Sequence, residues 1–320
     1  MKNKTVQILL IISLLTCCVM ISSCSEPGNK ENFTVGVLNP NKGNREISSG
    51  FIEGLKKKST KQIIFIEAGC KGTCNIEAAL TDLMTHDPDL LFTVTTPATK
   101  KAKEMTKGKN VPVIFAMHDP VGSGIINSLA SPGGNLTGIQ IRGSVPKALD
   151  WLLSVSPAAK NIFVPVKFDT KAAKQSLSDL KEAAETIGVQ LVVAEVDTLE
   201  ELKASLDSMP ENIHAIFLVH SILTHSNTEA IVEAAIKRKL PIGAGSALYE
   251  NGVTVSYGLD TFQTGKQVSR LANMALQGEP AGSIPTEVAD YFLGINLITA
   301  NAAGLEIPND ILIQADYIIR

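Results

Sequence analysis

The stretch from Leu90 to Asp119 constrains what this chain can fold into more than any other. Leu90-Leu91-Phe92-Thr93-Val94 is a short, nearly continuous apolar run, the pattern of a strand buried on both faces. Thr95-Thr96-Pro97 follows, and a helix is expected from there through Lys107. Val111 to Ala116 then forms a second apolar strand, ending on Met117-His118-Asp119-Pro120. Two strands joined by a helix-length connection are parallel neighbours in one sheet. Their carboxyl ends lie side by side with the helix amino terminus aimed at the same edge, which is where open α/β sheets bind ligands. Thr95, Thr96 and Asp119 are the residues this brings together.

The same order returns downstream. Ala215 to Val219 is an apolar strand, His220-Ser221 its polar end, and Asn227 to Lys239 a helix; Leu240-Pro241-Ile242 then leads a strand to Ala244-Gly245-Ser246. Pro112 and Pro241 hold matching places. Upstream, Val35 to Leu38, a helix around Phe51 to Leu55, and Ile63 to Ile66 are matched by Ile162 to Val166, Leu177 to Ala184, and Leu191 to Ala194. The offset is about 130 residues, longer than any solenoid period. The chain therefore reads as two similar α/β lobes, each a doubly wound parallel sheet, with a cleft between them. Its 320 residues, 44% of them apolar, can supply two cores.

The amino terminus reads as a secretion signal: Lys2 and Lys4 precede an apolar run, Val6 to Val19, that is short for a spanning helix. Ile21-Ser22-Ser23-Cys24 resembles the bacterial lipobox, whose cysteine becomes the lipidated first residue of the mature protein. The alternative is an ordinary signal peptide with an incidental cysteine. Residues 1–23 are then signal peptide and 24–32 a tether, which places the folded part outside the cytoplasm, anchored to the bacterial membrane through Cys24. Cys17 and Cys18 leave with the leader. Cys70 and Cys74, in the loop Gly69-Cys70-Lys71-Gly72-Thr73-Cys74, either close a small disulfide in an oxidising compartment or stand as free thiols. No histidine lies close by in sequence to complete a metal site with them. With 29 Lys+Arg against 32 Asp+Glu and no extended basic run, nucleic acid is not the expected partner.

Beyond the second strand the chain reads Asp119-Pro120-Val121-Gly122-Ser123-Gly124, a helix-like stretch to Leu129, then Ser131-Pro132-Gly133-Gly134-Asn135-Leu136-Thr137-Gly138. This resembles the signature of one family of ABC-transporter substrate-binding proteins. That family has the type I periplasmic-binding-protein fold and includes binders of tryptophan and other aromatic amino acids. Thr96-Pro97-Ala98, Asn110-Val111-Pro112-Val113, Ser156-Pro157-Ala158-Ala159-Lys160, and the segment from Ile295-Asn296-Leu297 through Ala303-Gly304-Leu305 match as well. The resemblance implies an amino-terminal lobe of 33–140 plus 261–285 and a carboxyl-terminal lobe of 141–260 plus 286–320. Crossings are expected at Ile139 to Ser144, near Asp260, and at Thr286 to Phe292, with the helix Thr261 to Gln277 returning to the first lobe. It further implies a monomer that closes its lobes over a small molecule and passes it to ABC permease subunits, with no cofactor, metal or catalysis. The sequence departs from the family in two places on the ligand-facing edge. Val164-Pro165-Val166 stands where many members have Tyr-Asn-Pro, and Val219-His220-Ser221 where many have Thr-Asp-Asn.

The residues themselves also favour binding over chemistry. Gly122-Ser123-Gly124 and Gly243-Ala244-Gly245 lack the third glycine of a dinucleotide fingerprint, and no phosphate loop, His-Glu-x-x-His or Gly-x-Ser-x-Gly motif occurs. His118 beside Asp119 is half a catalytic dyad with no nucleophile indicated by spacing. His220 and His225 either share a metal or hydrogen-bond within a loop or the cleft. A zwitterionic amino acid would suit Asp119 for its ammonium and Thr95, Thr96 and the helix N–H groups for its carboxylate. Alternatively Thr95 and Thr96 cap the helix and Asp119 braces the turn before Pro120. Asn39, at the end of the first strand, completes this set, and Phe168, His220, Ser221, Gly245 and Ser246 form the opposite wall. Trp151, the only tryptophan, sits mid-helix among leucines and is expected in the core. A ligand-sensing protein serving a receptor and an exported α/β enzyme are the alternatives in other classes.

Overall fold

The computed structural model describes residues 31–40, 45–68, 74–141, 143, 145–168 and 170–320. Cys24, the signal segment, most of the tether and Cys70 lie outside the described residues.

The chain begins β1 (Asn32–Leu38), α1 (Arg45–Lys58), β2 (Gln62–Glu67), α2 (Ile76–Met84), β3 (Leu90–Val94), α3 (Thr96–Met105), β4 (Val113–His118) and β5 (Leu136–Ile141). It continues with α4 (Val145–Val155), β6 (Asn161–Val166), α5 (Lys171–Ile187), β7 (Gln190–Glu195), α6 (Leu199–Asp207) and β8 (Ala215–Leu218). Then come α7 (Ile222–Ser226), α8 (Thr228–Arg238), β9 (Ile242–Ala244), β10 (Val255–Gly258), α9 (Thr261–Leu276) and β11 (Glu287–Val288). The chain closes with β12 (Phe292–Asn296), α10 (Leu297–Ala302), α11 (Asn309–Gln314) and β13 (Tyr317–Ile319). Two sheets result, ordered β11-β5-β4-β3-β1-β2 and β13-β12-β10-β9-β8-β6-β7. The first is parallel throughout, and the second is parallel except where β10 meets β12.

Each element follows from its local chemistry. All five side chains of β3 are buried because helices cover both faces of a parallel sheet. Asn75 caps α2 as expected, its Oδ1 accepting from the Ala78 N–H at 3.0 Å. Trp151 packs half-buried against Val255, Leu293 and Ile295, with the Lys147 ammonium 5.0 Å from its ring. The helix expected before Leu129 does not form. Residues 120–129 run as turns and bends, Gly124 takes φ +69°, and Lys103 Nζ donates to the carbonyls of Gly124 and Ile125 at 3.0 and 2.7 Å. The third crossing also begins later than expected. Glu287 and Val288 pair with Ile139 and Gln140 and so belong to the first sheet, which moves the lobe boundary from 286 to about 289.

Helix α9 leaves the second lobe after β10 and packs along α1 in the first. Small residues allow the close approach. A Cβ on Gly50 would overlap the carbonyl oxygen of Phe262, and one on Gly265 would overlap the carbonyl oxygen of Ile47. Val268, Leu271 and Ala272 thereby join Phe51, Leu55 and Phe92 in one core, where the Phe51 and Phe92 rings stack at 4.0 Å. Arg270 pairs with Glu287, and Gln267 donates to the Val288 carbonyl and accepts from the Asp290 N–H, both at 3.1 Å, tying α9 to the third crossing. Gly265→Val therefore forces two backbones apart. It is expected to destabilise the fold by about 2–4 kcal/mol in urea unfolding, whereas Gly278→Ala, with open space at its Cβ but a positive φ, should cost no more than about 1–2 kcal/mol.

Candidate functional site

A cavity of about 720 Å³ lies between the lobes at the carboxyl ends of the strands. The first lobe lines it with Ile47 from α1, His118 and Ile141 at the ends of β4 and β5, and Thr261 and Thr264 from α9. The second lobe contributes Lys171, Gln175, Ser176 and Asp179 from α5, His220 and His225 after β8, and Gly245 and Ser246 after β9. Leu259, in the second crossing, lies between the two sets.

Three of the five histidines meet here, and hydrogen bonds fix their orientation. The His220 N–H donates to Ser176 Oγ at 3.1 Å, and its Nδ1 lies 2.9 Å from Ser246 Oγ. His225 Nε2 lies 3.1 Å from the Val219 carbonyl, which can only accept, so this nitrogen carries the proton. The two rings meet edge to face at 6.1 Å. Burial disfavours the imidazolium and pushes all three pKa values down. For His118 a hydrogen bond to the Ile141 backbone opposes this; for His220, proximity to His118 adds to it while Asp179 pulls the other way. His225 falls furthest, to about 4, from burial first and His220 second. All three rings are therefore neutral at pH 7.

Among the described residues lining the cavity, Asp179 is the one carboxylate and Lys171 the one ammonium. Gln175 Nε2 donates to Asp179 Oδ1 at 2.8 Å. Helices α5 and α9 both start at the cavity, capped by Thr170 and Asp260, so their positive ends face it from opposite lobes. The arrangement offers an anion two helix amino termini and Lys171, and a cation Asp179. No group of three or more metal-ligating side chains occurs among the described residues, and the hydrogen-bond partners of the His220 and His225 rings are Ser246 Oγ and the Val219 carbonyl.

Of the residues expected from sequence, the structure brings His220, Gly245 and Ser246 to this cavity. It does not bring Asp119, whose Oδ1 accepts the Gly122 N–H at 2.9 Å while its carbonyl accepts from Ser123; it braces the turn at φ +38°. Thr95 extends the β3–β4 ladder through its N–H to the Ala116 carbonyl at φ +87° and accepts from Thr99. Thr95 and its neighbour Thr96 are half-buried outside the cavity lining. Asn39 Nδ2 donates to Ser48 Oγ at 3.0 Å. Ser221 is buried, its Oγ accepting the Lys167 N–H, and Phe168 packs against the second-lobe core. His118 and His225 stood out in the sequence, but only as fragments of catalytic or metal motifs. Asp179 and Gln175 carried no signal at all, being two of many polar residues on the exposed face of a long amphipathic helix. Cys74 is disulfide-bonded.

Comparison with known proteins agrees with this fold. The family model described as "ABC transporter substrate binding protein" matches residues 34–319. The chain is 26% identical over 247 residues to a tyrosine-binding protein of Clostridioides difficile, covering 75% of this chain and 71% of that one. The ligand-free, open structure of a substrate-binding protein with adhesive properties from Clostridium difficile superposes with a TM-score of 0.73 at 24% identity, covering 90% of this chain and 99% of that one. An ABC domain in complex with L-Trp from Streptococcus pneumonia gives 0.67 at 23% identity, covering 90% and 100%.

The depressed histidines make a prediction about stability. The unfolded chain takes up protons near pH 6.5 that folded His225 refuses until about 4, so stability falls as pH drops through that window. The loss attributable to His225 is about 3 kcal/mol at the acid end, and His225→Gln should flatten the acid limb of a urea-derived stability profile correspondingly.

Proposed function

The chain belongs to the ABC transporter substrate binding protein family, and on that premise we propose that it binds an amino acid with an apolar or aromatic side chain between its lobes. Proteins of this family bind substrates rather than transform them. The observation that carries the ligand class is the arrangement of charge in the cavity. Asp179 suits an α-ammonium, while Lys171 and the amino termini of α5 and α9 suit an α-carboxylate. Ile47, Ile141, Val145 and Leu259 supply apolar walls for a side chain. The tyrosine-binding relative and the L-Trp-bound structural neighbour support the same class.

Delivery to an ABC permease, and anchoring outside the cytoplasm through lipidated Cys24, complete the reading. The lipobox-like Ile21-Ser22-Ser23-Cys24 and the short span before β1 support it. The disulfide bond of Cys74 suits that compartment. Lobe closure by hinge bending at the three crossings would bring the neighbouring strand ends, Asn39, Thr95, Thr96 and Asp119, nearer the ligand.

Calorimetry against the twenty amino acids, with small-angle scattering of each mixture, tests this. L-tyrosine or L-tryptophan is expected to bind and to reduce the radius of gyration. Asp179→Asn should weaken binding by about 1.5–3 kcal/mol, roughly ten- to a hundred-fold. No binding across the panel, or unchanged affinity in the variant, would overturn the proposed ligand class.

A further inference from the structure

Among its described residues the cavity is lined by one carboxylate and also by a histidine that the binding of a zwitterion does not by itself require. Ser176 and Asp179 lie three residues apart on α5 and therefore share a face. The first accepts the His220 backbone N–H, which holds the strand end after β8 against that face. From the other side Ser246 Oγ holds the ring through Nδ1. His220 is thus held between β9 and α5, in the cavity lining it shares with Asp179.

We propose that His220 and the ammonium group of the ligand compete for Asp179, so that the cleft holds an amine-bearing solute while His220 is neutral and releases it as His220 takes a proton. This rests on the proposed function and adds a charge rule to the same site.

The surroundings make the two cations mutually exclusive. Asp179 favours a charged His220, whereas His118 at the end of β4 and burial oppose it. His225, on α7, lies edge-on to the ring and stays neutral to about pH 4. Lys171, at the start of α5, is the remaining fixed charge among the described lining residues and repels either cation. With the ligand absent and the medium acidified, one imidazolium can settle beside Asp179. With an ammonium already there, a second positive charge in a half-buried space is strongly disfavoured. Binding of an amine therefore expels the His220 proton, and acid expels the amine. An anionic ligand lacking the amine makes no claim on Asp179 and meets no such competitor.

Two measurements on the full mature chain test this. Calorimetry with L-tyrosine, whose own charges are constant between pH 7.5 and 4.5, should show affinity falling by more than about twofold across that range, and by no more than tenfold per pH unit for one competing proton. In His220→Asn the ratio of affinities at the two pH values should shrink below about twofold, while His118→Asn and His225→Asn retain most of it. With 3-(4-hydroxyphenyl)propanoate, which has the same skeleton without the amine, affinity should not fall between pH 7.5 and about 6, the range in which its own carboxylate stays ionised. NMR titration of the His220 ring in ligand-free protein is the second measurement, and it does not depend on any ligand being found. Asp179→Asn should lower the pH at which His220 titrates. An unmoved His220 titration in that variant, or acid sensitivity of L-tyrosine binding that survives His220→Asn, would overturn the competition. Failure of every amino acid to bind would overturn the ligand class while the NMR result still judged the pairing.

Discussion

The contact between α1 and α9 is the constraint on which the two-lobed arrangement depends. By the time the chain reaches α9 it has laid down β6 to β10 of the second sheet, and nothing local directs it back. What draws it back is a helix face that fits only against α1, where Gly50 and Gly265 let backbones approach to a distance no larger residue tolerates. Once docked, Val268, Leu271 and Ala272 complete the first lobe's core, and β11 adds the last strand to its sheet. The chain must then cross again to place β12 beside β10. Three connections between the lobes follow from one helix pair, and they define the axis about which rigid lobes can move.

The same contact shapes the cavity. Docking α9 on α1 points its amino terminus at the cleft, opposite that of α5. Two partial positive charges are thereby fixed across a gap without a charged side chain being buried. Among the described lining residues the fully charged groups are Asp179 and Lys171, while burial pushes the pKa values of the three histidines down and so favours their neutral form. A cavity built in this way discriminates by the placement of charge, and small changes in protonation alter what it accepts.

Much of the fold was legible because burial on both faces of a parallel sheet leaves a plain mark: short runs such as Leu90 to Val94 and Ala215 to Leu218 admit few other readings. The helix-like reading before Leu129 failed because Pro120, Gly122 and Gly124 carry turn conformations that apolar spacing does not reveal. Asp119 lies at the expected strand end, and of its two sequence readings, ligand contact or turn brace, its hydrogen bond to Gly122 matches the second. An aspartate three residues before a backbone N–H it can reach bonds locally more readily than it waits for a ligand. Asp179 was invisible for the opposite reason, since nothing in Lys-Gln-Ser-Leu-Ser-Asp distinguishes the turn of α5 that meets the cleft from the turns that meet solvent.

The sequence alone determined that there are two parallel-sheet lobes with strands buried on both faces, and it pointed to the carboxyl ends of those strands as the edge where a ligand would sit. Alternation of strand and helix, apolar run length and the repeat of about 130 residues suffice for that. Which strand ends line the cavity was decided by the tertiary structure. In the first sheet β4 and β5 adjoin the crossings, whereas β3 and β1 lie farther from them. Strand order and the return of α9 are long-range outcomes of packing, so no local pattern distinguishes the His118 that lines the cleft from the Thr95 that stands outside it.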